Sequence, residues 1–177
     1  MLILKRHYEY WYVLLALHRL GAVAIPSTFL LTAEDIEYRV RSAKIRAVVC
    51  ADDTAVMEHV RKAQKECPDL QYLFNVRKYS SGFVRIDTGI QGESERFARV
   101  DTRSTDPFLL YFTSGTTGHP KAVVHDYSYP LAHIVTAKYW QNVVDGGLHL
   151  TVADTGWGKA SWGKIYGQWL AGSGVMA

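Results

Sequence analysis

A chain of 177 residues, 48% hydrophobic and 21% charged, has the composition of an ordinary globular protein, and at this length it can bury roughly 70% of its unfolded surface in one core. Its formal charge of +3 comes from 20 basic residues scattered among 17 acidic ones, which excludes the clustered basic stripe of a nucleic-acid binder. The two cysteines, Cys50 and Cys67, form neither a C-x-x-C pair nor a zinc spacing; this argues against metal ligation and predicts reduced, buried thiols in a cytoplasmic protein.

Met1-Leu-Ile-Leu4 is apolar, but Lys5, Arg6 and His7 follow at once, too short and in the wrong order for a signal segment. No later run approaches the ~18 apolar residues of a membrane-spanning helix. Tyr8 to Leu20 is apolar on nearly every side and free of Gly and Pro, which predicts a buried helix stopped by Gly21. Ala22 to Ile25 reads as a short strand closed by Pro26. Thr32-Ala-Glu-Asp35 opens the next helix as a capping box, with Ile36 and Val40 facing inward. Ile45 to Cys50 has strand length. Asp52 or Asp53 then caps a helix whose buried stripe is Val56, Val60 and Ala63, and Gln71 to Val76 is another strand.

These alternating elements predict an α/β fold, a parallel sheet layered between helices, over residues 1–76. Residues 77–106 are polar and rich in Ser and Gly; they read as a surface connection carrying a short strand near Phe83 to Ile86 and a helical turn around Glu93 to Ala98. Residues 107–177 hold the chemistry. Tyr129 to Trp140 predicts a helix, Leu148 to Val152 a strand, and Asp154 a cap for the helix that follows.

Between the strand-like stretches Phe108 to Phe112 and Ala122 to His125 lies Thr113-Ser-Gly-Thr-Thr-Gly-His-Pro-Lys121. Gly115 and Gly118 allow the backbone N–H groups to close on an anion. Thr113, Ser114, Thr116 and Thr117 add hydroxyl donors, Pro120 and the glycines supply the turn, and Lys121 adds a compact positive charge. This is a polyphosphate grip. It is not a Walker loop, because Lys121 is followed by Ala122 and a strand, where that motif requires Ser or Thr and a helix.

The Thr113–Lys121 order resembles the phosphate-binding signature of the adenylate-forming enzymes, with His119 at the variable place. The resemblance implies ATP-dependent conversion of a carboxylic acid to an acyl-adenylate, with Mg²⁺, followed in most members by transfer to a thiol such as coenzyme A. Asp154-Thr-Gly-Trp157 is similar to a segment of the acetyl- and medium-chain acyl-CoA synthetases. It implies an acid pocket walled by Trp157, with Trp162 as a second flat wall and His125 near it. A peptide-synthetase adenylation domain and a nucleotide-binding remnant are the alternatives. In family members a later Glu binds the metal, and a Lys of a C-terminal domain completes the site. No counterpart of either precedes Ala177. Residues 1–177 are therefore expected to form part of the large N-terminal domain, to hold no metal ligand or catalytic residue, to be inactive alone, and to self-associate through unpaired sheet edges.

Overall fold

The structure, a computed structural model, describes residues 1–114 and 118–176. Four strands, β1 (Leu2–Ile3), β2 (Ala47–Cys50), β3 (Tyr72–Asn75) and β4 (Val84–Arg85), form a parallel sheet in that order. Helices α2 (Ala33–Ala43) and α3 (Thr54–Glu66) provide the crossovers, as parallel pairing demands. Alternate residues of β2 face opposite layers. Val48 and Cys50 join Ile36, Val40, Val56, Val60 and Ala63 beneath α2 and α3. Val49 joins Tyr10, Val13 and Leu14 of α1 (Glu9–Arg19) on the other side. The expected α/β layering is present.

The caps predicted for α2 and α3 form. Thr32 accepts from the Asp35 amide and Asp35 accepts in return from the Thr32 amide. Asp53 accepts from Ala55 and Val56. Helix α1 ends at Gly21, whose φ of +65° suits a residue without Cβ. It is not buried all round, however. Tyr8, Leu15 and Leu20 are exposed while Tyr10 and Leu14 are fully enclosed, so only one stripe of α1 meets the sheet.

Two other expectations change. Met1 to Leu4, apolar but unassigned in the sequence, adds β1 to the end of the sheet beside β2 and is buried throughout. Residues 22–25 do not form a regular strand; instead residues 24–27 bridge two sheets. On one side the Leu2 amide donates to Ile25 O (2.9 Å) and the Ser27 amide to Leu2 O (2.8 Å). On the other, the Ala24 amide donates to Phe108 O (3.1 Å) and the Leu110 amide to Ala24 O (2.9 Å). This segment fastens the parallel sheet to an antiparallel hairpin, β5 (Pro107–Thr113) and β6 (Lys121–Asp126).

The polar connection contributes β4 and a short helix α4 (Ile86–Gly89). The helical turn expected at Glu93 to Ala98 is absent. There the backbone turns to the end of α1: Arg19 Nη2 donates to Phe97 O (2.8 Å) and the Val100 amide to Arg19 O (3.0 Å). After the hairpin come α5 (Tyr129–Tyr139), a two-residue strand β7 (Leu148–His149), and α6 (Gly158–Ala160). A π-helical turn (Ser161–Ile165), α7 (Tyr166–Leu170) and β8 (Gly174–Val175) complete the order. The strand expected over Leu148 to Val152 is cut to two residues because its partner, β8, is no longer.

Candidate functional site

The predicted grip sits where the hairpin turns. Thr113 closes β5 and Lys121 opens β6 directly opposite it in register, with Thr113 Oγ1 donating to Lys121 O (3.4 Å). Thr113, Ser114, Gly118, His119 and Lys121 are exposed and Pro120 is half-buried. Gly118 has φ +94°, a conformation that only glycine adopts freely. Gly115, Thr116 and Thr117 lie outside the described residues. Helix α2 holds the returning arm: Tyr38 Oη donates to Pro120 O (3.0 Å), and its ring stacks on His119 at 4.5 Å and 14°. The neighbouring Arg39 lies 5.2 Å over the ring of Phe112, on the outgoing arm.

A cleft of about 610 Å³ opens beside the loop. Thr113 and Ser114 form one rim, Arg39 with Ser27 and Thr28 another. Tyr111, Phe112, His125, Tyr129, His133, Trp157 and Trp162 line the interior. The structure thus brings His125 and Trp157 into one space with the loop. Trp157 is exposed to solvent along one side of the cleft, whereas Trp162 is half-buried and stacks on Trp140 at 5.5 Å and 16°.

Asp154 does not cap a helix. Its carboxylate accepts from the Gly156 amide (2.8 Å), closing the turn, while Trp157 occupies the cap position of α6 without a side-chain bond. The turn is wedged in place. A Cβ on Gly156 would fall 2.3 Å from the Ser27–Thr28 backbone, so nothing larger than glycine fits there. Thr155, almost wholly buried, donates to Lys5 O.

Sequence reasoning left several lining residues unassigned. Tyr129 and His133 are four residues apart on one face of α5, a spacing that could have exposed them. His125 stands 4.2 Å from the Tyr129 ring and His133 4.5 Å. Burial lowers the pKa of both imidazoles, Asp126 opposing the shift at His125 and the His125 charge reinforcing it at His133. Both are therefore uncharged at neutral pH. Burial also pushes the Tyr129 phenol up to about 12, so the chamber between them carries no charge. Arg39, at 9% exposure, is the cationic side chain of the cleft wall among the described residues. Burial draws its pKa down and the Asp35 carboxylate opposes that; a guanidinium stays charged either way. Among the described residues no three His, Cys, Asp or Glu side chains converge to hold a metal ion.

The AMP-binding enzyme family matches residues 1–175. The chain belongs to that family. It is 36% identical over 176 residues to "Acyl-coenzyme A synthetase ACSM4, mitochondrial" from Homo sapiens, covering 98% of the chain and 30% of the relative. It is 34% identical over 178 residues to "Acyl-coenzyme A synthetase ACSM5, mitochondrial" from Mus musculus, covering 99% and 30%. Among solved structures it resembles an anthranilate CoA ligase, AuaEII, in complex with anthranoyl-AMP (TM-score 0.85, 21% identity, 98% of this chain and 34% of that one). It also resembles the Brucella canis acyl-CoA synthetase (TM-score 0.81, 20% identity, 98% and 31%). These two likenesses show the fold. The chain spans about a third of the length of the relatives it matches. The cytoplasmic expectation is overturned by these relatives, which are mitochondrial proteins. Reduced thiols and the want of a spanning segment suit any reducing aqueous compartment, so composition could not separate the two. Among the described residues no helix is long and apolar enough to cross a membrane.

Proposed function

We propose that these residues form the nucleotide grip and the acid chamber of an AMP-forming acyl-CoA synthetase acting in mitochondria. One observation carries the reading: the loop's rim, Thr113 and Ser114, borders the same cleft that His125, Tyr129 and Trp157 line. A phosphate held on the loop and an acid held in the chamber would meet at that rim. Lys121 and the loop's hydroxyl and amide donors would bind the ATP phosphates. The uncharged chamber accepts the apolar body of a short, medium-length or aromatic acid. The acid's carboxylate then attacks the α-phosphorus, displacing pyrophosphate. Coenzyme A would take the acyl group in a second step. Any Mg²⁺ supplies charge neutralisation of the phosphates when bound.

Binding is tested first. MgATP should bind the 177-residue chain, and Lys121→Ala should weaken it roughly tenfold or more, since a hydrogen bond to a charged group contributes about 1.5–3 kcal/mol. Titration calorimetry showing equal affinity for both proteins would remove the loop from nucleotide binding. Trp157→Ala should weaken benzoate or octanoate without changing ATP affinity. Self-association belongs to the same proposal: β6 is an edge strand with Val123 and Val124 exposed, and light scattering that returns a monomer refutes it.

A further inference from the structure

The cleft has neutral walls except at one point. Arg39 lies in helix α2, 9% exposed, and its guanidinium borders the space between Ser27–Thr28 and Phe112–Thr113. Its fixed position has three causes. Nη1 donates to Asp35 O one turn back (2.9 Å), the Asp35 carboxylate lies 3.6 Å from the same nitrogen, and the guanidinium carbon sits over the Phe112 ring, 5.2 Å from its centre. Asp35 is itself fixed, because its carboxylate accepts the Thr32 amide and hydroxyl in the capping box. Nη1 is thus engaged by the helix, while Nε and Nη2, the other two corners of the fork, make no hydrogen bond among the described residues. A buried fork with free donors suits a planar or tetrahedral oxyanion.

Alternatives within the cleft are few. His125 and His133 are uncharged at neutral pH, and Lys121 is outside the cleft lining. An anion entering this space therefore meets one full positive charge, and it meets it beside the loop arm at Phe112–Thr113. We propose that Arg39 is the oxyanion-binding residue of this cleft, pairing with an anionic group at the junction of phosphate loop and acid chamber. The inference rests on the proposed adenylating function. Two groups share the required chemistry, a nucleotide phosphate and the substrate carboxylate, and the test separates them.

The full 177-residue chain is titrated with magnesium pyrophosphate, MgATP, benzoate and octanoate, as wild type, Arg39→Gln and Arg39→Lys. Urea unfolding of each variant checks that the fold persists. With the fold intact, Arg39→Gln should weaken binding of at least one anion class by roughly ten- to a hundredfold, the range for a lost charged hydrogen bond. Arg39→Lys should restore part of that loss together with the dependence on salt, which a purely structural residue would not move. Loss confined to pyrophosphate and ATP assigns a phosphate; loss confined to the two acids assigns the carboxylate; loss of both assigns their shared junction. If Arg39→Gln binds all four ligands as the wild type does, the inference fails while the adenylating reading stands, provided Lys121→Ala still weakens ATP. If the wild type binds none of the four, both fail together. Should Arg39→Gln not fold, Arg39→Lys decides alone: weaker binding of at least one anion class with the salt dependence kept supports the inference, and wild-type affinity for all four ligands overturns it.

Discussion

The two ends of this chain handle apolar surface in opposite ways. In residues 1–76, α2 and α3 turn Ile36, Val40, Val56, Met57, Val60 and Ala63 onto the sheet and bury them. In residues 107–176, α5 buries only Ala137, while Leu131 and Val135 are each 60% exposed. Val144, Leu148, Leu150, Val152 and Trp157 are exposed as well. The first region is a scaffold whose helices spend their apolar faces on the sheet and on the hairpin strand β5. The second keeps its tight packing for the few places that set the cleft, such as Gly156 against Ser27 and Gly167 against His133 O.

The comparison breaks most visibly if the scaffold's buried charge proves dispensable. Arg77 pairs with Glu9 at 2.6 and 2.8 Å, and Glu9 is 1% exposed. Arg77→Ala strands that carboxylate and should cost about 3–5 kcal/mol in urea unfolding. Glu9→Gln should cost less, because the Arg77 side chain it releases is 45% exposed and reaches water. Equal losses would mean the pair is not the reason Glu9 is tolerated inside.

Acid should single out the scaffold next. His18 stacks on Phe108 at 3.8 Å, bonds Tyr166 Oη at 2.8 Å, and burial lowers its pKa from 6.5 to about 4. Unfolded chains then bind the extra proton between those values, so stability is full above pH 6.5 and falls as pH drops toward 4. The loss is about 3 kcal/mol, taking ~1.4 kcal/mol per pKa unit. His18→Phe should flatten that slope between pH 7 and 4.5. A slope that survives the substitution assigns the acid sensitivity to other groups.

Truncation compares the regions directly. Leu14→Ala in the fully buried stripe of α1 should cost about 2–5 kcal/mol, and Leu131→Ala on the exposed face of α5 less than about 0.5 kcal/mol. Comparable costs would show that the outer face of α5 is covered in solution. The smallest effect is expected of Tyr38→Phe, which removes the bond to Pro120 O. Its stability change should be about 1 kcal/mol; a weaker MgATP affinity with a nearly unchanged melt would show that the bond sharpens the loop.

The same division explains what the sequence disclosed. Capping residues Thr32 and Asp53 and the stripes of α2 and α3 follow from local spacing alone, and they formed as expected. The hairpin around Thr113–Lys121 was equally legible, because branched and aromatic runs flank a turn-forming stretch. Residues whose roles depend on distant neighbours were not. Met1 to Leu4 became a strand only because Ala47 to Cys50 lies alongside. Glu93 to Ala98 lost its helical turn to bonds with Arg19. Arg39 reads as one more polar residue on a helix, and nothing near it in sequence announces Phe112 or the cleft. Tyr129 and His133 left a local trace in their four-residue spacing; Ser27 and Thr28 left none.

Residues 24–27 make the position of the Thr113–Lys121 turn a matter of length. The Leu110 amide is tied to Ala24 O, and from that tie the chain counts forward along β5 to Thr113. A deletion of one residue between them would draw the loop back by about 3.4 Å and exchange the two faces of the strand. If Tyr111 were the residue lost, Phe112 would turn toward the layer that Tyr111 now shares with Leu109. The same deletion in the exposed stretch at 91–99 would be taken up as slack. The ruler that sets the site is three residues long, and it is read from the opposite end of the chain.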